Sequence, residues 1–226
     1  MRRPGFRARP SSLGTSGVGS SVLELFLSAF ATFFVVIDPP GCAPIFASLT
    51  SGATPQHRRA MALRSVLVAG SILLAFAIFG EAFLRALGIS LDAFRIAGGI
   101  MLFLIALEMV FEKRQERRES RAEDVKARAT EDVSIFPMGI PMIAGPGSIA
   151  SAMLLTGRAD GLQQGLTVLG ALAFVLVLTL AALLLAAPLM RLIGDKMEAM
   201  ITRLLGVILA ALAVQFVIDG IRASLT

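Results

Sequence analysis

Phe33-Phe34-Val35-Val36-Ile37-Asp38-Pro39-Pro40-Gly41-Cys42 sets two adjacent prolines and a carboxylate in the middle of an apolar run, 22–49. As one straight helix those 28 residues would measure about 42 Å, against a hydrocarbon core of about 30 Å. Tandem prolines remove two backbone donors and clash with the preceding turn. The run is therefore predicted to be two half-helices with an unwound joint. A second run, 134–157, carries Pro137, Pro141 and Gly145-Pro146-Gly147, and is predicted to break in the same way into half-helices of about ten residues.

Four further apolar segments, 61–86, 91–111, 162–190 and 199–219, have proline only at an edge, at Pro188. Hydrophobic residues make up 56% of the 226, close to the ~120 apolar positions that six spans of about 20 require. Charged residues are 16%, against about 25% in a soluble domain, and the mean hydropathy is +0.80. The fold class read from this is all-α: a polytopic membrane protein of six transmembrane segments, with segments 1 and 4 broken. A soluble enzyme, a collagen, a disordered chain and a disulfide scaffold are excluded.

The breaks occupy corresponding places. A shift of 106 residues superposes Ile37, Pro40 and Gly41 on Ile143, Pro146 and Gly147; a shift of 108 superposes Arg95, Gly98, Ile100 and Leu104 on Arg203, Gly206, Ile208 and Leu212. The chain reads as a duplicated three-span unit. Three is odd, so the second copy inserts upside down, the inverted-repeat plan of secondary transporters. The expected organisation is a disordered N-terminal tail at 1–20, a first repeat at 21–111, a charged linker at 112–133 and a second, inverted repeat at 134–221.

The linker holds seven basic and seven acidic residues and reads as a solvated helix, with partner docking as the alternative. Lys/Arg counts set the orientation. With the N-terminus outside, the inner loops carry twelve basic residues and the outer side seven. Both termini are thus expected to be periplasmic and the linker cytoplasmic, in a bacterial inner membrane. Eleven of the 21 basic residues sit in the N-terminal tail and the linker, which flank apolar spans, so the net charge of +5 argues for topology and membrane lipid, not nucleic acid.

Irregular backbone at bilayer depth is tolerated where it lines a wet cavity. The two breaks are expected to meet near the membrane midplane. Each exposes a helix N-terminus with free N–H groups, one opened by Gly41-Cys42 and the other by Gly147-Ser148, with Ser148 as N-cap. Carbonyls near Ile37 and Ile143 suit an ammonium or a cation. Amide and carbonyl ends side by side suit a small zwitterion, so the candidate substrate-binding set is Asp38, Gly41, Cys42, Gly145, Gly147 and Ser148. Asp38 reads equally as a cap on the broken helix and as an ammonium or proton-coupling ligand; a charge at that depth costs about 2.5–3.5 kcal/mol on insertion scales. Arg95 and Arg203 read as residues that snorkel to the interface, or as partners of Asp38 or Glu108. Gln215 reads as a helix bridge or a substrate contact. His57 reads as a solvated loop residue. The single histidine and single cysteine support no triad and no metal site, and no cofactor motif is present, so no enzymatic activity and no cofactor are expected.

Four stretches, FFVVIDPPGCAPIFASLT (33–50), GISLDAFRIAGGIMLFLIALEM (88–109), GIPMIAGPGSIA (139–150) and ITRLLGVILAALAVQFVIDGI (201–221), resemble the MarC family (UPF0056-like) of six-span inner-membrane proteins, which overlaps the small neutral amino acid transporters grouped with the LysE-type exporters. The resemblance implies a permease for glycine, alanine and similar amino acids, with binding roles at Asp38, Gly41, Gly145, Gly147 and Ser148. Gln215 and Asp219 fall in a family motif without an assigned role. The chain departs from the pattern at Cys42, where the family usually has Asn, and at Asp92, where it usually has Pro. A permease or exporter of another small solute, and a non-transporting scaffold that recruits a partner through its linker, are the alternatives. Coupling to a proton or cation and assembly into oligomers are left open.

Overall fold

The computed structural model describes residues 16–127 and 132–225, and they are all-helical, with no strand among them. In chain order the helices are α1 (Ser16–Ile37), α2 (Pro39–Leu49), α3 (Pro55–Ala86), α4 (Leu91–Val110), α5 (Lys113–Ala127), α6 (Pro146–Thr156), α7 (Gly161–Leu184) and α8 (Ala186–Leu225), with an irregular wide-turn segment, Ser134–Ile143, ahead of α6. Val22–Leu49, Pro55–Ala86, Leu91–Val110, Gly161–Leu184 and Ala199–Leu225 are each long and apolar enough to cross a bilayer. The segment Ser134–Ile143 with α6 makes a sixth, bent by 54°. Apolar side chains such as Leu67, Phe79, Leu104, Val177 and Leu204 stand exposed around the outside, which suits a lipid surround. The protein is an integral membrane protein.

Both breaks exist, but their form differs from expectation. In the first span the interruption is one residue long. Asp38 adopts φ 60°, ψ 66° and caps α2. Its N–H still donates to Phe34 O at 2.9 Å, and its carbonyl accepts from Cys42 N–H at 3.0 Å. The prolines cause no unwinding because they occupy the first two positions of α2, where a backbone N–H has no intrahelical partner anyway. The helix therefore opens at Pro39, not at Gly41-Cys42. In the fourth span, Ser134–Ile143 is not an α half-helix. Phe136 and Ile140 are extended, at φ −129° with ψ 127° and 126°. Each precedes a proline, and the proline ring drives its predecessor out of the helical region. The N-cap of α6 is Gly145 rather than Ser148, which sits in the first turn.

Three boundaries also move. Ser16–Ser20 belongs to α1; the rest of the expected tail lies outside the described residues. His57 lies in the first turn of α3 and donates its N–H to the cap Thr54 Oγ1 at 3.3 Å, so it is not in a loop. The fifth segment ends at Leu184, and Pro188 falls in the first turns of the 40-residue α8.

Glycines bring α4 and α8 together. A Cβ on Gly99 would stand 2.8 Å from Ala213 O, one on Gly206 3.1 Å from Ala106 O, and one on Gly220 3.1 Å from Asp92 O. Backbone approach through small residues is how apolar helices associate without a hydrophobic drive between them. The order of these contacts makes α4 and α8 antiparallel. On the other side, Phe30 of α1 lies 5.6 Å from Phe34 and 5.7 Å from Phe174 of α7, ring centre to ring centre. Phe33, Phe46, Leu102, Met138 and Leu154 are fully buried between these layers.

Candidate functional site

The 112–133 segment is not a free linker. Its helix α5 carries Arg114, Arg118 and Arg121 at spacings of four and three, hence on one face, and that face covers the first break. Arg114 donates to Val36 O at 2.6 Å and to Met109 Sδ at 3.0 Å. Arg118 donates to Asp38 Oδ2 at 2.9 Å and to Ile37 O at 3.5 Å. The carbonyl end of α1, which the sequence offers to a ligand cation, is thus taken by two guanidinium groups of the same chain. The Asp38 side chain is 1% exposed and that of Arg118 6%. Burial, then the neighbouring Arg118 charge, lowers the Arg114 guanidinium to about 10.

Asp38 does a second job. Its Oδ1 accepts from the Gly41 amide at 3.1 Å, capping α2. A Cβ at position 41 would lie 2.2 Å from Asp38 Oδ2, so only glycine leaves room for the capping carboxylate. Cys42 is fully buried with Sγ 3.5 Å from Ile37 O.

The second break touches the first. A Cβ on Gly147 would lie 3.2 Å from Val36 Cγ1, 2.6 Å from Ile105 Cδ1 and 3.4 Å from Leu102 Cδ2. The crossing is therefore nearer the Val110 end of α4 than its centre, displaced toward α5. Beside it opens a cavity of about 310 Å³. Gly145, Gly147 and Ser148 form one wall, Val36 and Arg114 another, and Glu108 of α4 a third. No side chain caps α6, so its first-turn amides are left for the cavity. Ser148 is 2% exposed, and its hydroxyl has no protein partner among the described residues.

Of the six candidate residues, Gly145, Gly147 and Ser148 line the cavity, while Asp38, Gly41 and Cys42 stand behind Arg114 and Arg118. Arg95 pairs with Asp92 at 2.9 Å, near the far end of α4, and Arg203 pairs with Glu112. Neither reaches Asp38 or Glu108; the Glu108 carboxylate is held by Arg117. Gln215 does not bridge helices, since its Nε2 donates to Asp219 Oδ1 at 2.7 Å, one turn along α8. Asp219 also accepts from Arg158 at 2.7 Å, and the Arg158 guanidinium lies 4.7 Å from the centre of the Phe216 ring. Burial lowers the Arg158 pKa, opposed by Asp219. Among the described residues no group of three or more His, Cys, Asp and Glu side chains is placed to hold a metal. The α5 arginines escaped the sequence reading. The signal that could have found them is the one-face spacing of 114, 118 and 121 in a helix otherwise balanced in charge.

Residues 23–225 match the model of the MarC family integral membrane proteins. The chain belongs to the MarC family. It is 39% identical over 203 residues to the UPF0056 membrane protein MJ1677 of Methanocaldococcus jannaschii, covering 90% of this chain and 98% of that one. It is 34% identical to the UPF0056 membrane protein YvbG of Bacillus subtilis, covering 90% and 95%. It is also 34% identical to the UPF0056 inner membrane protein YhgN of Escherichia coli, covering 87% and 95%. No solved structure matches it.

Proposed function

We propose that this MarC protein is a secondary transporter of small neutral amino acids, glycine- and alanine-like, moving them across the bacterial inner membrane by alternating access. The observation that carries the proposal is the uncapped N-terminus of α6 opening into a cavity where the two broken segments touch. A substrate carboxylate accepts from the first-turn amides of α6 and the Ser148 hydroxyl. Its ammonium faces Glu108, whose carboxylate it shares with Arg117. Asp38, Gly41 and Cys42 hold the first break in shape from behind, and the buried Asp38–Arg118 pair is the joint that remakes itself as the halves rock. The antiparallel packing of α4 and α8 supports an inverted-repeat mechanism, and the Lys/Arg distribution supports periplasmic termini with α5 in the cytoplasm.

The 112–133 segment does more than offer a docking surface, because Arg114 and Arg118 of α5 hold the first break. Deleting α5 would strip Arg114 and Arg118 from the cavity and the first break. The deciding experiment is counterflow of radiolabelled alanine in proteoliposomes, with and without a pH gradient. Uptake that Ser148→Ala reduces while the protein stays folded supports the carrier. Absence of counterflow for alanine and glycine overturns it.

A further inference from the structure

The cavity wall carries more positive charge than an amino acid can answer. Four arginines of α5 line it, at 114, 117, 118 and 121, with Glu108 as the facing carboxylate. Arg118 is neutralised by Asp38 and Arg117 by Glu108. Arg114 and Arg121 have no carboxylate within ion-pair distance among the described residues. To these two charges the α6 N-terminus adds about half a positive charge. A zwitterion brings no net charge and leaves this surplus in place. Arg114, bonded only to the neutral acceptors Val36 O and Met109 Sδ, holds its charge beside an apolar wall without a counter-ion, which is costly.

We propose that the cavity binds a phosphate group, held by Arg114, Arg121, the Ser148 hydroxyl and the first-turn amides of α6. A phosphate supplies the negative charge both arginines lack. It offers several acceptor oxygens to donors that converge from two elements, a combination that makes the strong, charge-assisted kind of hydrogen bond. The Ser148 hydroxyl, buried and without a protein partner, is the donor that such a ligand would complete.

The same chemistry has two sources. Below Glu108 the cavity is lined by Met101, Leu104 and Ile105 of α4, of which Met101 is 40% and Leu104 55% exposed. That stripe runs from the arginines onto the surface facing lipid. An acyl chain could follow it while a phospholipid headgroup occupies the cationic end, as basic sites do beside an anionic leaflet. The other source is a small soluble phosphate ester. The inference goes beyond the carrier reading and does not rest on it, because binding is measured without transport.

The test is saturation binding to the delipidated, detergent-purified full chain, with phosphatidylglycerol, glycerol phosphate and inorganic phosphate as separate probes. Phosphatidylglycerol is followed as a mass adduct in native mass spectrometry, the other two as radiolabelled ligands. We expect one site per chain, weakened at least tenfold by Arg121→Gln and by Ser148→Ala. Arg121→Lys should retain most of it, and Arg59→Gln, an exposed change at the start of α3, should leave it unchanged. Arg121 is itself exposed, so its loss does not threaten folding. Protection of Cys42 from a maleimide verifies that each variant is folded. Saturation by phosphatidylglycerol alone assigns the phosphate to a lipid, by the soluble probes alone to a small ester, and by all three to the phosphate group itself. Failure of every probe to saturate, or binding indifferent to Arg121→Gln and Ser148→Ala, overturns the proposal. Alanine counterflow is read separately, so either idea can fail without the other.

Discussion

Removing the Arg118 guanidinium should expose how the first break is held. In Arg118→Gln the Asp38 carboxylate, 1% exposed, keeps its bond to the Gly41 amide but loses its counter-charge. Breaking a buried pair from one side costs about 3–5 kcal/mol, and the insertion cost of a carboxylate at helix depth, about 2.5–3.5 kcal/mol, points to the same range. Asp38→Asn should cost less than Asp38→Ala. Asparagine tolerates the left-handed φ of 60° and still caps Gly41, a contribution of about 1 kcal/mol. The double variant Asp38→Asn/Arg118→Gln should lose less than the sum of the two single changes, by about 2 kcal/mol, because neither charge is then stranded. Equilibrium unfolding in mixed dodecyl sulfate micelles reads this directly. Cys42 is the sole cysteine and fully buried, so its reactivity reports the unfolded fraction. A loss under about 1 kcal/mol in Arg118→Gln, or strict additivity in the cycle, would refute the reasoning that the pair is desolvated and mutually dependent.

The remaining predictions use the same readout unless stated. Gly147→Ala should cost about 1–3 kcal/mol by overpacking, since its Cβ would lie 2.6 Å from Ile105 Cδ1. Ile105→Val removes that methyl and should recover part of the loss, so an unchanged deficit in the double variant would count against the crossing as described. Gly99→Ala should be worse tolerated than Gly52→Ala. The first Cβ meets backbone of α8 at 2.8 Å and the second meets nothing within 4 Å. A maleimide should leave Cys42 unmodified in folded protein while labelling an added Ser120→Cys, exposed on α5, at the rate of a free thiol. Rapid labelling of Cys42 would mean that the first break is open to water.

Much of the architecture can be read along the chain because its causes are local. Pro39, Pro40 and Gly41 after Asp38 spell a helix start with a cap, and the structure keeps that cap. Reading the prolines as a rupture went too far, because the same residues that cannot sit inside a helix fit its first turn without loss. Pro137 and Pro141 were legible as disruptions, but their effect falls on Phe136 and Ile140, the residues in front of them. Arg95, Arg203 and Gln215 were legible as polar groups in apolar spans. Their partners turned out to be Asp92 and Asp219 one turn away, and Glu112 across a helix interface, rather than the carboxylate at the break.

The sequence by itself determined that this is a six-segment helical membrane protein, where two of its segments break, and that Asp38 must be satisfied at a cost no apolar span can ignore. Those conclusions follow from hydropathy and from backbone chemistry acting within a few residues. Only the tertiary structure decided what satisfies Asp38, because Arg118 lies 80 positions away in a segment whose charge-rich, balanced composition looks solvated. It also decided that α5 closes over the carbonyl end of α1 and that the open end of α6 faces a cationic hollow. Which guanidinium meets which carboxylate depends on how helices pack in three dimensions, and no periodicity along one strand of text encodes that.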